Sequence, residues 1–153
     1  PMNKSIYEIV FNKLKEKDLK ISFCESCTGG NLVASLVKFP GASNILEESY
    51  VTYSENAKQK IVGVKKETLD KYTVYSKEVA SEMALGLFKI SNSDVCVAIS
   101  GTCGDNSVSN NKADLAIYYK GIMYNYVLES IGTRIEVLND YVKKVYEYID
   151  FVL

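Results

Sequence analysis

A serine stands between a short apolar run and two glycines, in the segment Glu25-Ser26-Cys27-Thr28-Gly29-Gly30. Glycines at such a turn let a ligand approach the backbone closely, and amides at the start of a helix bind a phosphate or an oxyanion. A serine hydroxyl in this position can serve as a nucleophile. The local pattern is explained as simply by a tight turn with a helix cap, so further residues must decide.

The chain contains no histidine. This excludes Ser-His-Asp and Cys-His catalysis, histidine-ligated metals and histidine acid-base chemistry. A serine nucleophile must then lose its proton to a lysine or a tyrosine, and a lysine serves only when its pKa is lowered enough for the amine to be neutral. Lys58 is a candidate for that base, and Tyr53 for relaying or orienting the proton. Taken alone, a lysine such as Lys58 is more often a solvated helix residue, and a tyrosine such as Tyr53 is more often a half-buried strand aromatic.

The four cysteines offer a competing chemistry. Cys24 and Cys27 form a Cys-x-x-Cys pair before a predicted helix, which is typical of dithiol redox sites. With Cys96 and Cys103 they make a conceivable four-thiolate zinc site, although the last two are spaced more widely than in a usual zinc knuckle. Cys96 lies in an apolar run, where free cysteine is a common small core residue. We therefore expect neither a metal nor another cofactor.

The order of predicted elements favours an α/β fold, in which helices sandwich a mixed, mostly parallel sheet in three layers. The length suits a single domain over residues 1–153. The first half is predicted to contain a helix over 5–19, a strand over 20–24, a helix through 32–37 that stops at 39–41, and a strand over 46–53. A helix capped by Ser54 that carries Lys58 follows, then a helix capped by Ser76 and a strand over 94–99. The second half is predicted to contain an exposed mobile loop over 105–112, hairpin strands over 114–119 and 122–129, and a helix from Arg134.

Charge and hydropathy narrow the possible partners. The formal net charge is -1 and the acidic and basic residues are interleaved, so nucleic acid is not an expected partner. No segment approaches the roughly 18 apolar residues of a membrane helix. Residues 1–4 lack the apolar stretch of a signal peptide, so the cytoplasm is the expected compartment.

Five ordered motifs give the chain a resemblance to the C-terminal domain of the CinA competence/damage-inducible proteins. The resemblance is strong between residues 21 and 104 and weaker beyond. The motifs are Glu25-Ser26-Cys27-Thr28-Gly29-Gly30, Pro40-Gly41-Ala42-Ser43, Val51-Thr52-Tyr53-Ser54-Glu55-Asn56-Ala57-Lys58, Val64 through Glu67-Thr68-Leu69, and Ser76-Lys77-Glu78-Val79-Ala80.

The resemblance implies a nicotinamide-nucleotide amidase, which hydrolyses the carboxamide of nicotinamide mononucleotide to nicotinate mononucleotide and ammonia. It implies that Ser26 is the nucleophile, that Tyr53 and Lys58 activate it, and that amides near Gly29 and Gly30 stabilise the oxyanion. It further implies a pyridine nucleotide as the small-molecule partner and a homo-oligomer, for which the twelve tyrosines can supply an interface. The substrate contacts that it implies are Glu25, Thr28, Gly29, Gly30, Ser43, Ser100, Gly101 and Arg134, the last suited to a phosphate.

The chain departs from the family pattern in the predicted substrate loop. A Gly-Pro-Gly-rich segment usually follows the turn that corresponds to Ser100-Gly101, whereas here Gly104-Asp105-Asn106-Ser107-Val108 stands. Lys112-Ala113-Asp114 replaces the usual Val-Gly-Thr. An alternative function is therefore a nucleotide-binding module that no longer turns its ligand over. Such a module would keep Arg134 and the glycines but would need no neutral Lys58.

Overall fold

The computed structural model describes residues 3–153. Pro1 and Met2, on which the expected localisation partly rests, lie outside the described residues. No helix in the described part of the chain combines the length and apolar character needed to cross a membrane. The elements are α1 (Ile6–Glu16), β1 (Ile21–Glu25), α2 (Asn31–Val37), a 3-10 helix (Ala42–Asn44), β2 (Leu46–Val51), α3 (Glu55–Val62), α4 (Lys66–Tyr72), α5 (Lys77–Ser91), β3 (Val95–Gly101), β4 (Ser109–Tyr119), β5 (Ile122–Gly132) and α6 (Arg134–Val152).

One five-stranded sheet has the strand order β2-β1-β3-β4-β5. Strand β1 pairs in parallel with both β2 and β3, whereas β4 pairs antiparallel with β3 and β5. Four strands therefore run in one direction and β4 alone runs in the other, which confirms the mixed, mostly parallel sheet. The carboxyl ends of β1, β2 and β3 meet at one edge, where α/β proteins bind ligands.

Helices cover both faces of the sheet, as the three-layer prediction requires. One buried cluster joins α1, α2 and α6 to one face, and a second joins α3, α4 and α5 to the other. Successive strand residues point to opposite faces, so β1 sends Phe23 into the first cluster and Cys24 into the second.

Both predicted serine caps are confirmed. Each cap determines the residue at which its helix begins. The hydroxyl oxygen of Ser54 accepts the N–H of Ala57 at 3.0 Å, and that of Ser76 accepts the N–H of Val79 at 3.2 Å. Such a cap typically contributes about 1 kcal/mol to stability. The first cap fixes the start of α3, and hence the direction in which Lys58 leaves the helix one turn later.

A close contact between α5 and α3 holds α3 against the rest of the protein. A Cβ atom built onto Gly86 of α5 would lie 1.8 Å from the carbonyl oxygen of Val62, the last residue of α3. Glycine inside a helix costs about 1 kcal/mol relative to alanine, so it is explained here by the close approach that it allows. The helix that carries Lys58 is therefore tightly positioned.

The structure shortens one predicted loop and adds two short helical elements that were not predicted, the 3-10 helix and α4. The loop predicted over 105–112 is shorter, because β4 begins at Ser109 and pairs there with Gly132 of β5. The strand was not predicted here because this end of β4 is rich in polar residues. Asn111 is nevertheless buried, and its side-chain amide donates to the carbonyl and hydroxyl oxygens of Ser109. Helix α4 was not predicted, because in seven residues it buries only Leu69.

Candidate active site

The carboxylate of Glu25, the last residue of β1, organises the turn that follows it. Glu25 is fully buried and its charge is distributed over four hydrogen bonds within the turn and the first turn of α2. Such charge-assisted bonds make the buried carboxylate tolerable and the turn rigid. Its Oε1 accepts from the Thr28 hydroxyl at 2.7 Å, the Gly30 N–H at 3.1 Å and the Leu32 N–H at 2.8 Å, and its Oε2 accepts from the Val33 N–H at 3.0 Å.

The two glycines complete this turn. Gly29 and Gly30 have φ angles of 59° and 104°, in the left-handed region that glycine adopts without strain. The N–H of Gly29 donates to the carbonyl oxygen of Ser26 at 3.0 Å, and that of Gly30 is held by Glu25. Both amides that we expected at an oxyanion are thus already engaged. By contrast, the N–H groups of Ser26 and Cys27 have no hydrogen-bond acceptor among residues 3–153.

Four residues expected to contact substrate therefore build the turn instead. Glu25 accepts hydrogen bonds from Thr28 and Gly30, Gly29 donates to the carbonyl oxygen of Ser26, and none of the four lines the cavity beside Ser26. Their arrangement presents the Ser26 hydroxyl at the carboxyl end of β1. We assign them a positioning role, since a buried and fully paired carboxylate has little capacity left for a ligand.

The amine of Lys58 lies beside the hydroxyl of Ser26. The Nζ-to-Oγ distance is 3.0 Å, and the same amine donates to the carbonyl oxygens of Thr52 at 2.9 Å and Tyr53 at 3.2 Å. Lys58 is 1% exposed and Ser26 is 6% exposed. Burial lowers the pKa of Lys58 below its ordinary value, against smaller raising effects of neighbouring cysteines and Glu55. None of the ion pairs within residues 3–153 includes Lys58.

This geometry suits a neutral amine acting as a base. A neutral lysine has two N–H groups and one lone pair, and the two carbonyl oxygens can take the N–H groups. The lone pair is then left for the proton of the Ser26 hydroxyl, which is within hydrogen-bond distance. Serine and lysine are brought together as the sequence predicted, and the two carbonyls that orient the amine left no signal in the sequence.

Tyr53 reaches the site by two different groups. Its carbonyl oxygen accepts from Lys58, whereas the residue is 59% exposed and its hydroxyl accepts from Nη2 of Arg134 at 3.1 Å. No hydrogen bond among the described residues joins this hydroxyl to Ser26 or Lys58. The side chain of Tyr53 is therefore a partner of Arg134.

Arg134, at the start of α6, ties that helix to the loop after β3. Its Nη1 donates to the carbonyl oxygen of Gly104 at 2.6 Å, and its backbone N–H donates to the carbonyl oxygen of Asp105 at 2.7 Å. The guanidinium is thus held at the mouth of the site by neutral oxygens rather than by a carboxylate. It keeps its positive charge available to an anion.

A cavity of about 460 Å³ joins these groups. Ser100 and Gly101 reach it from the end of β3. The Ser100 hydroxyl donates to the carbonyl oxygen of Val74 at 2.6 Å, and a Cβ atom at Gly101 would lie 2.4 Å from the Cα of Ala113. The lining residues are Ser26, Cys27, Tyr53, Ser54, Glu55, Lys58, Val74, Tyr75, Ser100, Gly101, Thr102, Cys103 and Arg134.

Ser43 is the expected site residue that the structure places elsewhere. It is exposed and lies in the 3-10 helix that precedes β2. Because β1 and β2 are parallel and the cavity lies at their carboxyl ends, Ser43 stands at the opposite edge of the sheet. It does not reach the cavity within this chain.

Sequence reasoning missed Cys103 as a neighbour of Ser26. The Cys103 thiol is buried and donates to the carbonyl oxygen of Cys27 at 3.7 Å, 76 residues away in the chain. Nothing in the spacing of the cysteines indicates this contact. Within residues 3–153, no group of three or more His, Cys, Asp or Glu side chains is arranged to hold a metal ion, so the four-thiolate alternative gains no support.

Comparisons with known proteins agree with this fold. The family model of the CinA C-terminal domain matches residues 3–150. A CinA-like protein of Petrotoga mobilis is 43% identical over 122 residues, which cover 80% of this chain and 30% of the relative, so the chain spans under a third of that protein's length. A crystal structure of a CinA superfamily protein from Escherichia coli has a TM-score of 0.90 at 26% identity, covering 100% of this chain and 94% of the other.

A second solved structure is that of a competence or damage-inducible protein from Enterobacter asburiae. It has a TM-score of 0.89 at 26% identity, and the match covers 98% of this chain and 99% of the other. The similarity in sequence and fold extends over nearly the whole chain, including the turn that carries Ser26 and the helix that carries Lys58. The chain therefore belongs to the CinA C-terminal domain family.

Proposed function

We propose that the chain is a serine amidohydrolase that removes ammonia from the carboxamide of nicotinamide mononucleotide. The observation that carries the proposal is the buried Lys58 amine at 3.0 Å from the Ser26 hydroxyl, with its pKa lowered by burial. A buried lysine without a carboxylate partner is costly to a fold, and such groups cluster at functional sites. The choice of amide follows from the family resemblance.

In the first step, neutral Lys58 takes the hydroxyl proton as Ser26 Oγ attacks the carbon of the amide. The amide nitrogen then leaves as ammonia after accepting a proton from Lys58, and an ester on Ser26 remains. Water, deprotonated by the same amine, hydrolyses the ester and releases the acid. Each step requires Lys58 to alternate between neutral and charged forms, which the two carbonyl oxygens of Thr52 and Tyr53 support in both states.

The oxyanion of the tetrahedral intermediate needs hydrogen-bond donors. We assign this role to the N–H groups of Ser26 and Cys27, which have no acceptor among residues 3–153, in place of the engaged amides of Gly29 and Gly30. The N–H of the residue after a nucleophilic serine commonly takes this role. Removal of one such donor typically costs roughly 100- to 1,000-fold in rate.

The phosphate of the nucleotide is assigned to Arg134. Its guanidinium stands at the cavity mouth with neutral oxygen partners, one of which is the Tyr53 hydroxyl. A phosphate would compete successfully with these neutral acceptors because bonds between ions are stronger. Ser100 and Gly101 also line the cavity, and the lack of a side chain at Gly101 lets β4 pack closely there at Ala113.

The direct test is release of ammonia by the purified, chelator-treated chain from a panel of amides with and without a ribose phosphate. We expect release from nicotinamide mononucleotide by the wild type and its loss in Ser26→Ala and Lys58→Ala. Half-buried Ser35→Ala on α2 and exposed Lys60→Ala on α3, both outside the cavity, are the matched controls and should keep the activity.

Two outcomes would overturn the proposal in different ways. Binding of the nucleotide without ammonia release would favour the non-catalytic binding module. Release that survives Ser26→Ala would show that another group performs the chemistry. Circular dichroism of each variant separates loss of function from loss of fold.

A further inference from the structure

Two cysteines lie beside each other in the candidate site. Cys27 directly follows Ser26, and Cys103 lies in the loop that follows β3. Both line the cavity, and the Cys103 thiol donates to the Cys27 carbonyl oxygen at 3.7 Å. They join the turn of the nucleophile to the opposite wall of the cavity.

The other two cysteines are held apart from this pair. Cys24 belongs to the cluster on the opposite face of the sheet from Cys27, and its thiol is hydrogen-bonded to the Thr52 hydroxyl at 3.2 Å. Cys96 lies on that same face, and its thiol donates to the carbonyl oxygen of Ser93 at 3.6 Å. Cys24 and Cys27 therefore lie on opposite sides of the sheet despite their Cys-x-x-Cys spacing. The two cysteines that come close together are Cys27 and Cys103, which are distant in sequence.

The environment makes the two thiols chemically unequal. Interaction with the Cys27 side chain, aided by the charge of Arg134, lowers the pKa of Cys103 against the opposing effect of burial. The same interaction, together with burial, raises the pKa of Cys27 well above its ordinary value. Cys103 is thus the thiol that ionises first, and thiolates are the reactive species.

We propose that Cys27 and Cys103 form a redox-modification site, at which a hydroperoxide generates a reversible disulfide that closes the active site. The Cys103 thiolate attacks a peroxide oxygen, the O–O bond breaks, and the hydroxide released takes up a proton to become water. The Cys103 sulfenic acid then reacts with Cys27: the S–S bond forms, the S–O bond breaks, and the hydroxyl leaves with the Cys27 proton as a second water. Overall, two thiols are oxidised to one disulfide while one hydrogen peroxide is reduced to two waters.

The bond would displace the nucleophile. A disulfide requires a sulfur separation of about 2.05 Å, shorter than any contact between two thiols, so its closure draws the Ser26 turn toward the loop after β3. A displacement of about 1 Å in an active site can cost on the order of 100-fold in rate. This inhibitory consequence rests on the proposed amidase function, whereas the disulfide itself does not.

The test treats the fully reduced chain with hydrogen peroxide, blocks the remaining thiols, and maps disulfide-linked peptides without reduction. We expect a Cys27–Cys103 link in the wild type and in the matched controls Cys24→Ala and Cys96→Ala, and none in Cys103→Ser or Cys103→Ala. In the same samples, oxidation should reduce wild-type ammonia release at least tenfold, dithiothreitol should restore it, and each Cys103 variant should keep its own pre-oxidation rate.

A Cys24–Cys27 link, or oxidation that stops at separate sulfur acids, would overturn the proposal. So would a mapped Cys27–Cys103 link that leaves the ammonia rate unchanged in an otherwise active chain. If the link forms but the reduced chain releases no ammonia, the amidase proposal fails and the modification site stands. If the reduced chain releases ammonia but peroxide forms no link, the modification site fails and the amidase proposal stands.

Discussion

The amine of Lys58 lies 3.0 Å from the hydroxyl oxygen of Ser26, although 32 residues separate them in the chain. Ser26 reaches this contact from the turn after β1, which Glu25 holds rigid, and Lys58 reaches it from α3, which the Ser54 cap and the close approach of α5 hold in place. The contact depends on β1 ending, and α3 beginning, at the same edge of the sheet.

Replacing Lys58 with arginine should abolish the activity while keeping the positive charge. Arginine has a pKa above about 12 and cannot accept the Ser26 proton, so we expect kcat for ammonia release to fall by roughly 100- to 10,000-fold. The exposed Lys60→Arg on the same helix should change little. Substantial activity in Lys58→Arg would mean that the amine acts only as a charge.

Replacing Tyr53 with phenylalanine separates its two contacts. The variant keeps the carbonyl that holds Lys58 and loses the hydroxyl that holds Arg134, so we expect KM to rise roughly two- to tenfold with kcat nearly unchanged. Tyr72→Phe, on α4 outside the cavity, is the control. A fall in kcat as large as that of Ser26→Ala would assign the Tyr53 hydroxyl to proton transfer, as the family resemblance implies.

Removing the Arg134 guanidinium should discriminate between substrates. For Arg134→Ala we expect KM for nicotinamide mononucleotide to rise roughly 10- to 100-fold, because hydrogen bonds to charged groups contribute about 1.5–3 kcal/mol. The riboside without phosphate should be hydrolysed with the same KM by variant and wild type. Lys143→Ala, an exposed cation on the same helix, is the control. Equal losses on both substrates would show that Arg134 acts by anchoring the Gly104 loop instead.

Gly86→Ala should destabilise the fold despite the higher helix propensity of alanine. The added methyl group would meet the Val62 carbonyl at 1.8 Å, and overpacking of this kind costs about 1–3 kcal/mol. Urea unfolding should show this decrease in the free energy of unfolding. Exposed Lys89→Ala on the same helix should not decrease it. A Gly86→Ala variant as stable as the wild type would mean that α3 can shift, and Lys58 with it.

Helices and strands were predicted correctly where the hydrophobic periodicity and the helix-capping residues indicated the same boundaries. Alternating β-branched and apolar residues marked β3, and Ser54 and Ser76 marked the starts of α3 and α5. The sequence signal failed where polar residues carry tertiary contacts. Asn111 lies in a strand because its amide is satisfied by Ser109, which no periodicity expresses.

The sequence predicted which residues form the site better than it predicted how they contact one another. The absence of histidine and the ordered motifs singled out Ser26 and Lys58, which the structure brings together. The partner of the Tyr53 hydroxyl, the engagement of the Gly30 amide by Glu25, and the Cys27–Cys103 contact are long-range or backbone features. Such features arise from the folded arrangement of elements, and no local pattern encodes them.

The titration of the Lys58 amine, followed in parallel with the rate, tests the central claim most directly. Because burial lowers the pKa of Lys58 below the ordinary 10.5, the neutral base is present above the lowered pKa and is lost as the pH falls through it. We predict that NMR of side-chain-labelled lysine, with Lys58→Met identifying the signal, gives a lowered pKa that coincides with the acid limb of kcat/KM for ammonia release. An ordinary pKa for Lys58, or a kcat/KM that stays constant as the amine becomes protonated, would contradict the account.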